Sequence, residues 1–201
     1  MAPTPNQTQG LLNRPTWKTE CVSERQLNRY DICTNTNTFT VIVRATDGTF
    51  CIVDVVRGQW SPSKRDTVIL ETARRDGPAV NVGIEEEPGS AGKHQSEHLI
   101  RLLAGFSVKA VRPSGPKEVR ARPLAAQMEA GNVTLLRSPW NGALVDEFCS
   151  FPGGAHDDQV DAAAGAFNAL TLGLFDWTGQ EEARDDNRSL VSQAPPGVFL
   201  T

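Results

Sequence analysis

Phe39-Thr40-Val41-Ile42-Val43-Arg44-Ala45, Thr46-Asp47-Gly48-Thr49 and Phe50-Cys51-Ile52-Val53-Asp54-Val55-Val56 follow one another along the chain. Two β-branched apolar runs flanking an Asp-Gly pair predict an antiparallel hairpin. Downstream, Ser61-Pro62 offers an N-cap and a proline at the first helical position, opening a helix to about Arg75 that Asp76-Gly77-Pro78 ends. The pattern then predicts a strand over 80–85, a helix over 93–104, a strand over 106–111 and a helix over 117–130. A short strand over 133–136 and helices over 140–149 and 157–174 complete it. A hairpin followed by alternating helices and strands is an α/β order, a mixed sheet flanked by helices. Within the last helix, Val160, Ala163, Ala164, Phe167, Leu170 and Leu174 recur at helical spacing and form an inward stripe.

That stripe anchors an unusual first turn. His156-Asp157-Asp158-Gln159-Val160-Asp161 packs three carboxylates into five positions where a glycine-rich loop becomes helix. One aspartate there would serve as a cap, favoured by the positive end of the helix dipole. Three repel one another unless something cationic joins them. A second acidic group, Glu85-Glu86-Glu87, ends the 80–85 strand and leads into Pro88-Gly89-Ser90-Ala91-Gly92-Lys93. Taken alone it reads as a solvated loop, but the end of a rigid strand is also where α/β sheets place reactive groups.

Together, Ile84-Glu85-Glu86-Glu87-Pro88-Gly89-Ser90-Ala91-Gly92-Lys93 and Phe151-Pro152-Gly153-Gly154-Ala155-His156-Asp157-Asp158-Gln159-Val160-Asp161-Ala162 resemble the nuclease domain of bacteriophage terminase large subunits, the DNA-packaging motors. Val53 to Trp60 and Arg120 to Val133 also look like segments of that family, in the same order, and the resemblance runs from about Asp31 to about Leu170. It implies a ribonuclease-H-like fold that cuts concatemeric double-stranded DNA with two Mg²⁺ or Mn²⁺ ions, hard cations suited to oxygen ligands. By the same resemblance Asp31, Glu85, Asp157 and Asp158 are the metal-binding catalytic acids. Glu87, Asp161 and Asp54 are second choices, and His156 would orient a ligand or the water. Asp31 lies in Arg29-Tyr30-Asp31-Ile32-Cys33-Thr34, preceded by Glu24-Arg25-Gln26-Leu27-Asn28, which lacks the apolar character of a buried strand. The alternative is a remnant that keeps the fold and binds DNA or packaging partners without cutting.

The chain has 201 residues and a net charge of −4, mildly acidic for a DNA-binding protein. The charge is uneven. Residues 93–137 hold eight Lys or Arg against three acids, whereas residues 142–201 hold two against ten. Lys109, Arg112, Lys117, Arg120 and Arg122 of the basic middle are the residues expected near DNA phosphates.

Gly89-Ser90-Ala91-Gly92-Lys93 lacks the first glycine of a P-loop and has His94 in place of its Ser or Thr, so no ATP site is expected. The resemblance therefore covers the nuclease part, with a terminase ATPase domain, the small subunit and the portal as implied partners. His94 and His98 lack the Glu of H-E-x-x-H and read as surface residues. Cys21, Cys33, Cys51 and Cys149 show no C-x-x-C pairing, which argues against zinc and against a disulfide framework and suits a reducing compartment. No apolar run reaches membrane-spanning length and no signal segment opens the chain, so the expected location is the host cytoplasm. Residues 27–177 are expected to form one domain, with polar tails over 1–26 and 178–201.

Overall fold

The computed structural model describes residues 27–35 and 38–173, with side chains from residue 38 onward; the expected tails lie outside them. β1 (Leu27–Asn35), β2 (Thr38–Ala45) and β3 (Phe50–Arg57) form an antiparallel meander. α1 (Pro62–Asp76), β4 (Asn81–Glu85), α2 (Ser90–Leu102), β5 (Ser107–Val111), α3 (Lys117–Glu129), β6 (Val133–Leu135), α4 (Asn141–Ser150) and α5 (Asp158–Thr171) come after it in chain order. The sheet order is β5-β4-β1-β2-β3-β6, with β4 parallel to both β1 and β5, and β6 parallel to β3. The mixed sheet flanked by helices is as the sequence indicates, and it opens one strand earlier than the hairpin.

That extra strand is the main difference from the sequence reading. β1 lies in the middle of the sheet despite its polar approach, because its place is fixed by pairing with β2 on one side and β4 on the other. Local hydrophobicity reports burial of side chains and is silent on a backbone ladder supplied by a segment some fifty residues away. α2 also begins three residues before the expected 93. Gly89, at φ +102, makes the turn, and Gly92 packs so closely that a Cβ there would stand 2.1 Å from the Glu87 carbonyl oxygen. Ser90-Ala91-Gly92 thus looks like loop in sequence and is helix in fact.

Two apolar cores flank the sheet. Phe39 and Val41 of β2 and Val82 and Ile84 of β4 pack with Ile69 and Ala73 of α1 and Leu99 of α2. Trp60 closes this side by stacking on Phe39 at 5.6 Å between ring centroids. On the opposite face, Ile42, Phe50 and Ile52 pack with residues of α3, α4 and α5, including Phe167 edge-on to Phe50 at 4.8 Å. α5 is buried on almost every side, and its alanines let it lie close across β1 and β2. Alternation along β4 sends neighbouring acids to opposite faces of the sheet. Val82 and Ile84 face the α1–α2 core, so the period of two turns Glu85 toward α5 and Glu86 back toward α2.

Cys51 is disulfide-bonded, its partner lying outside the residues whose side chains are described, and Cys149 is free. This corrects the expectation of no disulfide. C-x-x-C spacing reports only pairs close in sequence, and folding can pair cysteines that are distant in it. Among the described residues, no helix is long and apolar enough to cross a membrane.

Candidate active site

Glu85 leaves the carboxyl end of β4 on the face covered by α5, where Asp157 and Asp161 approach from that helix's first turn. Two cations from α3 hold the acids together. Arg120 Nη2 donates to Asp161 and lies 4.0 Å from Glu85 Oε1. Lys117 Nζ donates to Asp157 Oδ1 at 2.9 Å and stands 3.7 Å from Asp161 Oδ2. Asp157 and Asp161 are one helical turn apart and therefore share a face. Asp161, a second choice in the sequence reading, is the most buried of these acids, with its side chain 4% exposed. Asp158 is half-buried, and its charge also reaches Lys117.

Glu85 is the acid of the cluster short of positive charge. Burial pushes the Glu85 carboxyl above its ordinary range, and the Asp161 charge pushes further; Arg120 and Lys117 oppose both without cancelling them. Burial acts to lower the Lys117 ammonium. The hydrogen bond to Asp157 and the charges of Asp161, Asp157 and Asp158 outweigh it and raise the group. Among the described residues, no three His, Cys, Asp or Glu side chains are gathered into a metal site by themselves. Even so, an all-oxygen donor set whose central Glu resists ionisation fits a hard divalent cation.

Glu86, the middle acid of the triplet, does different work. Arg112 Nε at 2.6 Å and Ser96 Oγ at 2.9 Å both donate to it, tying β4 to β5 and α2, and these bonds hold its carboxyl below the usual range. Glu87 is exposed and acts on Glu85 as a neighbouring negative charge. His156 is exposed, and Asp54 is bound by Arg75 of α1 at 2.6 Å, apart from the cluster. Asp31 pairs through its backbone with Ile42 and Asn81; its side chain lies outside those described. Of the five basic residues expected near DNA, Lys117 and Arg120 face the acids and Arg112 holds Glu86, while Lys109 and Arg122 are exposed.

One residue escaped the sequence reading. Glu147 of α4, 6% exposed, accepts from the backbone N–H of Gln159 at 2.6 Å and of Val160 at 3.4 Å, and from Gln159 Nε2 at 2.6 Å. Arg57, at the end of β3, approaches it at 3.4 Å. The available signal was an acid on the inward face of a helix, aligned with Leu144 and Phe148.

Glu85 and the α5 acids meet at the carboxyl end of a strand beside the sheet's centre, and a family model of the terminase RNaseH-like domain matches residues 34–170. The chain belongs to that family. Among solved structures, the large terminase nuclease from thermophilic phage G20c with bound cobalt aligns at TM-score 0.56 and 18% identity, covering 83% of this chain and 98% of that one. The same nuclease with bound zinc aligns at 0.53 and 21%, covering 70% and 80%. The human cytomegalovirus terminase nuclease domain, soaked with manganese, aligns at 0.52 and 10%, covering 78% and 89%. No curated protein matches the chain. At these identities the likeness establishes the ribonuclease-H-like terminase nuclease fold. The family match takes in Glu85, Asp157, Asp158 and Asp161 and begins three residues after Asp31.

Proposed function

We propose that this terminase-family domain is a divalent-metal-dependent endonuclease that cuts double-stranded concatemeric DNA during phage packaging. The observation that carries the reading is the meeting of Glu85 with Asp157 and Asp161 across Lys117 and Arg120. Glu85, Asp157, Asp158 and Asp161 would hold Mg²⁺ or Mn²⁺, with Asp31 completing the set by family resemblance. When bound, a pair of such ions would supply the Lewis acidity that activates water and neutralises a leaving 3′ oxygen in an in-line displacement at phosphorus. The chain's own residues do the rest. β4 and the first turn of α5 fix the acids on rigid backbone. Lys117 and Arg120 exchange part of their carboxylate contact for the scissile phosphate as the duplex arrives, which places their charge on the phosphoryl oxygens. Lys109 and Arg122 steer the backbone without reading bases. Arg112 and Lys93 do the same from a cleft of about 380 Å³. The wider assembly implied by the resemblance is a terminase ATPase domain, the small subunit and the portal, in the host cytoplasm.

The non-catalytic remnant has one observation in its favour: Lys117 and Arg120 already satisfy Asp157 and Asp161. Plasmid cleavage separates the two readings. Supercoiled plasmid with Mn²⁺ should be nicked and linearised with little sequence preference, and EDTA should abolish it. Glu85→Ala should abolish cleavage with the circular dichroism spectrum unchanged. Asp31→Asn tests the opening strand, lost cleavage placing Asp31 in the site. Folded wild type that binds duplex and cuts nothing under any divalent ion would establish the remnant.

A further inference from the structure

The first turn of α5 is an acidic helix start whose own acids do not cap it. Asp157 stands at the N-cap position with φ −140 and ψ 7, yet its side chain makes no capping hydrogen bond. The orphan N–H groups of the second and third helical residues, Gln159 and Val160, are met instead by Glu147 from α4. The Glu147 carboxylate is fully used there: Oε1 takes both backbone N–H groups, and Oε2 takes the Gln159 amide and Arg57. Asp157 is thereby left to turn its carboxylate toward Lys117 and the cluster. An aspartate at an N-cap ordinarily folds back on its own helix, so these two uses of Asp157 compete.

We propose that Glu147 is a positioning residue that caps α5 in place of Asp157 and so keeps Asp157, and the turn carrying Asp158 and Asp161, available to the metal. The proposal rests on the nuclease reading. Glu147 touches neither metal nor DNA; its effect passes through the orientation of one helix turn. When Glu147 is removed, the bare N–H groups recruit Asp157 and draw it out of the site. Partners that orient ligating side chains typically change metal affinity about 10- to 100-fold.

The test is Mn²⁺ affinity by calorimetry on the full chain, alongside plasmid cleavage. Glu147→Ala should bind Mn²⁺ at least roughly tenfold more weakly, with kcat reduced and KM for DNA unchanged. Glu147→Gln, whose amide oxygen still accepts from the helix, should recover most of the affinity. Leu144→Ala, one turn earlier on α4 and fully buried, weakens packing without touching the cap. It should lower the melting temperature and leave Mn²⁺ affinity intact. If Glu147→Ala does not fold, Glu147→Asp, withdrawn by one methylene, should show the same loss. Wild-type Mn²⁺ affinity in folded Glu147→Ala, or in Glu147→Asp where the alanine variant does not fold, or an equal loss in Leu144→Ala, overturns the positioning role while cleavage by wild type leaves the nuclease reading standing. Wild type that neither binds Mn²⁺ nor cuts overturns both.

Discussion

Glu85 sits where burial and the Asp161 charge both favour its neutral form. Its pKa in the folded protein is therefore above that in the unfolded chain, and the folded state keeps the proton to higher pH. Under the linkage relation, stability then falls as pH rises from the ordinary glutamate range through the folded pKa, and the penalty is fully present above it. In EDTA, Glu85→Gln should thus melt higher than wild type at about pH 8 and together with it at about pH 4, near the ordinary glutamate value. Mn²⁺ should reverse the order at the higher pH, because only wild type offers the carboxylate. A Glu85→Gln protein no more stable than wild type in EDTA at high pH would remove the strain assigned to this carboxyl. The same scale shows why Asp161 ranked low in the sequence: Asp157 and Asp158 are the obvious pair, yet on a helix Asp157 and Asp161 share a face. The cations that meet them, Lys117 and Arg120, come from α3, some forty residues earlier, and long-range charge pairing leaves no local trace.

At the level of elements, the Glu-Pro-Gly-Ser-Ala-Gly turn is a packing device. A Cβ on Gly92 would meet the oxygen, carbon and Cα of Glu87 at 2.1, 2.7 and 3.0 Å, all backbone atoms with no flexible end to yield. Gly92→Ala should therefore force α2 away from the end of β4 and lower stability in urea by about 1–3 kcal/mol, the usual range for overpacking. Gly142→Ala is the control. Nothing lies within 4 Å of its Cβ, so the change should be neutral or stabilising by a few tenths of a kcal/mol. Equal losses in the two variants would dismiss the close approach. Elements with local signals were legible in the sequence: Ser61-Pro62 starts α1, Asp47-Gly48 turns the hairpin, and the stripe from Val160 to Leu170 places α5. Elements held by distant partners were not. β1 owes its central place to β4, and Glu147 acts on a helix twelve residues ahead.

Across the whole molecule, the acid cluster ties the end of β4 to the start of α5 and to α3, so a cation bound there stabilises the fold by mass action. At about a hundred times its dissociation constant, Mn²⁺ should add about 2.7 kcal/mol. For a domain of this size that is a rise in melting temperature of roughly 5–10 °C. A Glu85→Ala, Asp158→Ala double variant should lose the rise, and an equal rise in it would place the ion elsewhere. The lie of α5 across β1 and β2 has another consequence, one of timing. The strands made first are crossed by the last of the described helices, so a nascent chain that has emerged only to Ser150 carries Glu85 and owns neither Asp157 nor Asp161. Domains fold as units during synthesis. Here the unit closes only when α5 arrives, and the same event brings Asp157 and Asp161 to Glu85, so the acid cluster and the finished fold come into being together.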